Sequence, residues 1–181
     1  MKIGTLGSEH SFHHLATEAY FGANHTICYF SSVEEICNQL NLGKIQRAVI
    51  AVSNKIAGEI TGHQTLIEKH ALSQIDRINF SIHLQLLALP ESSMEHIKTI
   101  ISHPVALNQC RLFLEQQKRI KVTAQADTAS CARWIVENNA LETAVIGGNY
   151  LAKAFNLLVL VDFIADENEN YTVFGVFERG N

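Results

Sequence analysis

The sequence predicts an α/β protein whose chain folds into two lobes with a central cleft. Short runs rich in Val and Ile alternate with longer amphipathic segments, and this alternation is typical of a parallel sheet covered by helices. The run over residues 75–89 is too long and too apolar for one ordinary strand. We expect it to serve both lobes, with the C-terminal strands crossing back, so that two hinge crossings divide residues 1–80 and 160–181 from residues 81–159.

The individual elements follow from periodicity. Apolar side chains three and four apart, such as Val33, Ile36 and Leu40, predict helices at 11–21, 32–42, 61–70, 104–117, 128–138 and 149–155. Ser32, His103 before Pro104, and Asp127 stand where helix caps are expected. Short apolar runs predict strands at 2–6, 26–30, 47–53, 75–89, 98–102, 120–125, 143–146, 158–164 and 172–178.

Composition excludes several classes of protein. Apolar residues make up 47% of the chain and charged residues 18%, which is ordinary for a globular protein and wrong for a disordered or collagen-like one. The net charge of −4 comes without a basic block, so neither nucleic acid nor an anionic membrane is an expected partner. No signal peptide or membrane-length apolar run is visible. We therefore expect a cytoplasmic protein with four reduced, mostly buried cysteines.

Polar residues follow several strands at the point where α/β proteins bind ligands. They lie at 7–14, 53–59, 102–111 and 170–174. Each loop alone leaves structural and functional roles open. His10, His13 and His14 are close in sequence, but zinc needs ligands that converge from three or four positions, so we expect no metal site there.

Taken together, these segments resemble the catalytic domain of prephenate dehydratases. Residues 7–13 match the family's Gly-Pro-x-Gly-Thr-Phe-Ser loop, and residues 51–55 match its Pro-Ile-Glu-Asn-Ser segment. Residues 102–105 and 109–110 match Ser-His-Pro-Gln and Gln-Cys, residues 127–129 match Ser-Thr-Ala, and residues 170–174 match Asn-x-Thr-Arg-Phe. The segments occur in the family's order across essentially the whole chain.

The resemblance implies a fold similar to periplasmic binding proteins, with the active site in the cleft. It also implies a lyase of phenylalanine biosynthesis that removes carbon dioxide and water from prephenate, a small anionic substrate, without metal or organic cofactor. By position, the catalytic residues would be Thr172, Asn54, Ser102 and Gln109, with Thr172 bonding the departing hydroxyl. The substrate-binding residues would be Ser11, Phe12, Ser53, Lys55, His103 and Phe174, and Ser11 would help to hold a carboxylate.

The sequence departs from the family pattern at several points. Ser53 stands where the family has Glu, and Val173 where it has Arg, so a proton-handling group and a cation are missing. His10 replaces a glycine. If the cleft holds prephenate, an Arg at position 173 is expected to tighten binding, unless Lys55 or Arg77 already supplies that charge.

Three functions from different classes remain open at this point. The first is the dehydratase, and the second is a prephenate decarboxylase that leaves the ring non-aromatic. The third is a non-catalytic module that binds a carboxylate ligand, because fold does not fix function. Members of the family usually carry a regulatory ACT domain after this region, whereas this sequence ends at Asn181. Either the chain is truncated or the protein lacks that domain, and homodimer formation is left open.

Overall fold

The computed structural model describes residues 1–22, 24–167 and 169–180. The chain forms two compact units: unit 1 comprises Met1–Ser81 and Asn170–Asn181, and unit 2 comprises Ile82–Glu169. The predicted second boundary, between residues 159 and 160, is replaced by one between 169 and 170. Residues 23, 168 and 181, which the predicted lobes include, lie outside the described residues.

The helices and strands follow one another in an alternating order. Those of the first part of unit 1 are β1 (Lys2–Leu6), α1 (Phe12–Phe21), β2 (Thr26–Phe30), α2 (Val33–Asn41), β3 (Arg47–Asn54), β4 (Gly58–Glu59), α3 (Thr61–Lys69) and β5 (Ser73–Ser81). Unit 2 contains β6 (Gln85–Ala88), a short 3-10 helix (Met94–His96), β7 (Thr99–Ser102), α4 (Pro104–Asn108), α5 (Arg111–Gln116), β8 (Lys121–Ala124), α6 (Thr128–Glu137), β9 (Thr143–Gly147), α7 (Asn149–Phe155) and β10 (Leu158–Val161). The chain then returns to unit 1 as β11 (Tyr171–Glu178).

Unit 1 is a six-stranded mixed sheet in the order β2-β1-β3-β11-β5, with β4 paired to β3. Strand β1 runs parallel to β2 and β3, and β11 runs antiparallel between β3 and β5. Successive residues of β3 enter two different cores. Ala48 and Ile50 pack with α2 and α3, whereas Val49 and Ala51 pack with Phe174 and α1. We call these sides of the sheet the α2/α3 face and the α1 face.

Unit 2 is a five-stranded sheet in the order β10-β6-β9-β7-β8. The pairs β7–β8 and β7–β9 are parallel, and β6 is antiparallel to both β9 and β10. The pairing of β10 with β6 explains the shifted boundary, because it keeps residues 158–161 in unit 2. The long predicted strand at 75–89 is two strands, β5 and β6, one in each unit.

The α/β class and most elements are confirmed, including the predicted caps. The Ser32 hydroxyl accepts a hydrogen bond from the Glu35 N–H at 3.2 Å, and an Asp127 carboxylate oxygen accepts one from the Ser130 N–H at 2.6 Å. Among the described residues, no helix has the length and apolar character needed to cross a bilayer.

Cysteine reactivity should follow burial. All four cysteines are free thiols, and burial raises the pKa of both Cys110 and Cys131 to about 12. Burial also raises the pKa of Cys37, whereas Cys28 is only half-buried. Because the thiolate is the reactive form, a thiol reagent at pH 8 should modify Cys28 first in the native protein. Cys28→Ser should remove the fast phase, and simultaneous labelling of several cysteines would contradict this expectation.

Candidate functional site

Asn54 ends β3 with a buried side chain whose orientation is fixed. Its amide oxygen accepts hydrogen bonds from the backbone N–H groups of Ile56 and Ala57, both at 3.0 Å. A flipped amide would set its own N–H groups against those two donors. The Asn54 amide nitrogen therefore points to β11, 3.0 Å from Thr172 Oγ1 and 3.1 Å from the Tyr171 carbonyl oxygen.

Thr172 is held as an acceptor by this arrangement. Asn54 Nδ2 has only protons to offer, so Thr172 Oγ1 must accept and its own O–H is left to point elsewhere. Among the described residues, the Thr172 hydroxyl has no protein acceptor for that proton. The half-buried Thr172 can thus donate one hydrogen bond to a bound molecule. The structure brings together two predicted catalytic residues that are 118 positions apart in the chain.

A β-bulge at Val52 places Asn54 on the same face as Thr172. Across β3 and β11, Phe174 pairs with Ala51 and Val173 pairs with Ser53, so Val52 is an extra residue on β3. Strand residues alternate between the two faces of a sheet. Without the extra residue, the Asn54 side chain would lie on the face opposite to that of Ala51. With the bulge, both Ala51 and Asn54 lie on the α1 face.

Ser53 and Val173 lie directly opposite each other and share the other face. Paired residues of antiparallel strands project to the same side of a sheet, so Ser53, Val173 and Glu59 lie on the α2/α3 face. Ser53 therefore lies on the face opposite to Asn54, and its predicted contact with substrate stays a prediction. An Arg at position 173 would start from this same face, opposite to Thr172, and the expectation that it tightens prephenate binding stays a prediction.

Lys55 follows Asn54 in the turn and is exposed. Its backbone N–H donates to the Tyr171 carbonyl oxygen at 2.9 Å, and its ammonium group lies 6.0 Å from the centroid of the Tyr171 ring. Its predicted contact with substrate stays a prediction.

Ser11 caps α1 at the end of the loop that follows β1. The Ser11 hydroxyl oxygen accepts a hydrogen bond from the His14 N–H at 3.2 Å, so it has a structural role in addition to the predicted one. His10 has a left-handed backbone with φ of 64°, a conformation that favours glycine. The replacement of the family's glycine by His10 is therefore a strained one.

The histidines near this loop have separate partners. His13 Nε2 accepts a hydrogen bond from the Ala51 N–H at 3.3 Å, and His63 Nδ1 lies 2.8 Å from the Ala51 carbonyl oxygen, so one residue of β3 holds both rings. His14 bonds the Tyr29 hydroxyl at 2.6 Å and Glu18 at 3.2 Å, and burial raises the pKa of Tyr29 to about 12. In the described ranges, no cluster of His, Cys, Asp and Glu is arranged to hold a metal ion.

Aromatic side chains line the α1 face beside Thr172. Phe80 of β5 pairs with Thr172, and its ring lies 6.4 Å from the half-buried Phe12 and 6.3 Å from Phe174. Phe174 is 1% exposed and packs edge-on against His13, which is a core role, and its predicted contact with substrate stays a prediction. Phe80 was missed, because only the register between distant strands identifies it.

Two predicted catalytic residues lie buried in unit 2. Ser102 is fully buried at the end of β7, and its hydroxyl donates to the Ile146 carbonyl oxygen at 2.6 Å. This bond ties β7 to β9 and gives Ser102 a structural role, while its predicted catalytic role stays a prediction. Gln109 is the C-cap residue of α4 and is 3% exposed, and its backbone carbonyl oxygen accepts a hydrogen bond from the Asp166 N–H. Its predicted contact with substrate stays a prediction.

His103 caps α4 in unit 2. Its Nδ1 accepts a hydrogen bond from the Val105 N–H at 3.2 Å, which requires that ring nitrogen to be unprotonated. Burial also lowers the pKa of the His103 imidazole. Its predicted contact with substrate stays a prediction too.

Comparison with known proteins shows which family the chain matches. The family model described as prephenate dehydratase matches residues 3–181. Arogenate dehydratase 1 of Petunia hybrida is 34% identical over 135 residues, which cover 74% of this chain and 32% of the petunia protein. The chain thus spans about a third of that relative's length.

Solved structures show the same fold. The prephenate dehydratase of Arthrobacter aurescens, in complex with L-Phe, superposes with a TM-score of 0.89 at 24% identity, over 100% of this chain and 61% of the other. A periplasmic substrate-binding protein of an ABC transporter from Coxiella burnetii gives a TM-score of 0.50 at 13% identity, covering 99% and 84%. The predicted resemblance to periplasmic binding proteins is therefore confirmed for the fold.

The half-buried cap at His103 should make stability depend on pH. Because its pKa in the folded protein lies below the ordinary value, its contribution is fully present above the unfolded-state pKa of histidine. As pH falls below that value the unfolded chain binds a proton first, and the contribution is lost down to the lowered pKa. His103→Asn should keep the cap and flatten the decline in unfolding temperature between pH 7.5 and 5. An unchanged slope would contradict this assignment.

Charges placed at positions 53 and 173 should interact with each other. Ser53→Glu or Val173→Arg alone sets an unpaired charge into a half-buried position and should lower the unfolding temperature. The double variant should recover about 0.2–1 kcal/mol, the usual coupling of opposite charges on paired strands. Four unfolding curves measure this coupling, and strictly additive effects would show that the two side chains do not meet.

Proposed function

Because the chain belongs to the prephenate dehydratase family, we propose that it is a lyase that converts prephenate to phenylpyruvate. In this reaction the ring carboxylate leaves as carbon dioxide, and the electrons of its C–C bond enter the ring. The ring hydroxyl leaves as its C–O bond breaks, and it takes up one proton to become water. One proton is therefore consumed for each turnover, and the enzyme's tasks are to hold the dianion and to assist the departing oxygen.

The hydrogen bond between Asn54 and Thr172 is the observation that carries this proposal. It leaves Thr172 with a donor on the α1 face and no described protein acceptor. A departing hydroxyl gains negative charge as its bond to carbon breaks, and a fixed donor favours that charge without reorganising. Thr172 thus stabilises the developing hydroxide, which takes up one proton to become water.

Other groups on the same face suit the rest of the substrate. Phe12 and Phe80 offer half-buried apolar rings next to Thr172, against which a six-membered ring can lie. Ser11 keeps its hydroxyl proton while its oxygen caps α1, and the first turn of a helix favours a carboxylate. We assign the substrate's ring to the aromatic pair and a carboxylate to the loop at Ser11.

Arogenate is a second candidate substrate. It is the substrate named for the petunia relative, which is 34% identical to this chain. The test is to incubate the purified protein with each compound separately and to identify the products by mass spectrometry. An aromatic product supports the dehydratase, a non-aromatic decarboxylated product would replace it with the decarboxylase, and the absence of turnover with both compounds would contradict an enzymatic role.

Thr172→Val should abolish most of the turnover without unfolding the protein. The two side chains are nearly isosteric, so packing is kept while the donor is lost. Loss of one positioned hydrogen bond to a developing charge costs roughly 3 kcal/mol, or about a hundredfold in kcat. Thr99→Val, a matched change on a strand of unit 2, should leave kcat unchanged. Full activity of a folded Thr172→Val protein would show that Thr172 serves only the sheet.

A further inference from the structure

The structure assigns Asn170 as a positioning residue for Thr172, acting through Asn54. The side-chain oxygen of Asn170 lies 2.9 Å from Asn54 Nδ2, and Asn170 is 5% exposed. This inference rests on the proposed dehydratase function, because it explains how the donor at Thr172 is aimed. Asn170 was not chosen from the sequence, although it begins the segment that contains Thr172.

The Asn54 amide nitrogen has two protons to donate. Three oxygens compete for them within 3.1 Å: those of Asn170, the Tyr171 backbone and Thr172. The amide cannot turn away, because its own oxygen is held by two backbone N–H groups. The Asn170 oxygen therefore decides how the protons are shared.

Removal of that oxygen leaves two acceptors for the two protons and changes the geometry around Thr172. Asn54 Nδ2 would then approach the two remaining acceptors, Tyr171 O and Thr172 Oγ1, without the third contact that holds it in place. Thr172 would still be present and still accept, but its O–H would no longer have one fixed direction. A catalytic hydrogen bond loses strength steeply as its angle worsens, so kcat should fall while KM changes little.

The pair Asn170→Leu and Asn170→Asp separates position from bulk. Leucine has nearly the same size and no acceptor, so kcat should fall about three- to tenfold, the value of one ordinary hydrogen bond. Aspartate keeps an accepting oxygen and should restore most of kcat. Asn41→Leu is the matched control, because it removes a comparable amide bond, from Asn41 Nδ2 to the His70 carbonyl oxygen, away from Thr172. It should affect stability only.

Combination with Thr172→Val gives a sharper test. If Asn170 acts through Thr172, Asn170→Leu should cause no further loss of kcat once the Thr172 hydroxyl is gone. A merely structural role for Asn170 would instead lower kcat by the same factor in both backgrounds, which would overturn the inference. Failure of Asn170→Asp to recover activity would overturn it as well.

A spectroscopic measurement keeps the inference separate from the proposed function. In ¹⁵N-labelled protein, the side-chain amide signals of Asn54 can be identified by their loss in Asn54→Asp. They should shift and exchange several-fold faster with solvent in Asn170→Leu, but not in Asn41→Leu. If the wild-type protein turns over neither substrate, the proposed function fails, and this measurement still decides whether Asn170 positions Asn54. Unchanged amide signals in Asn170→Leu would refute that positioning.

Discussion

The single extra residue in β3 is the constraint on which the candidate site depends. Val52 interrupts the alternation of the strand, so that Ala51 and Asn54, three positions apart, face the same side of the sheet. Next to the bulge, Ala51 lies between the part of β3 that pairs with β1 and the part that pairs with β4. The Ala51 N–H and carbonyl oxygen are instead in contact with two imidazole rings. His13 and His63 thus satisfy the backbone groups of Ala51 that a neighbouring strand would otherwise bond.

Asn54 connects this bulge to Thr172 through its side-chain amide. Its amide oxygen closes the turn to β4, and its amide nitrogen reaches β11. One side chain therefore joins three segments. It has only one orientation, because a flipped amide would set its N–H groups against two backbone N–H donors. The orientation of Thr172 is a consequence, since a hydroxyl that must accept from Asn54 has its proton left for a ligand. The donor is set by the fold and not by the ligand, as preorganised stabilisation requires.

The sequence was sufficient for the fold class, most element positions, the caps at Ser32 and Asp127, and the pairing of Asn54 with Thr172 in one site. It was insufficient wherever the answer depended on register between strands distant in the chain. Periodicity along β3 predicts nothing about the bulge, and the opposition of Phe80 and Thr172 exists only in the folded sheet. The sequence was also insufficient to predict which of the matching side chains are buried. Ser102 and Phe174 match the family pattern as well as Thr172 does, yet one bonds the Ile146 carbonyl and the other fills the core.

Register also changes the meaning of the two departures from the family pattern. Considered singly, Ser53 and Val173 remove a carboxylate and a cation from a site that should bind a dianion. Considered in the sheet, they are cross-strand partners on the face opposite to Asn54 and Thr172, where Glu and Arg would neutralise each other. Their joint replacement by a small hydroxyl and an apolar side chain leaves the net charge of that face unchanged. In the proposed function, an anionic substrate on the α1 face is recognised by the donors at Thr172 and at the start of α1, and both departures leave these donors intact.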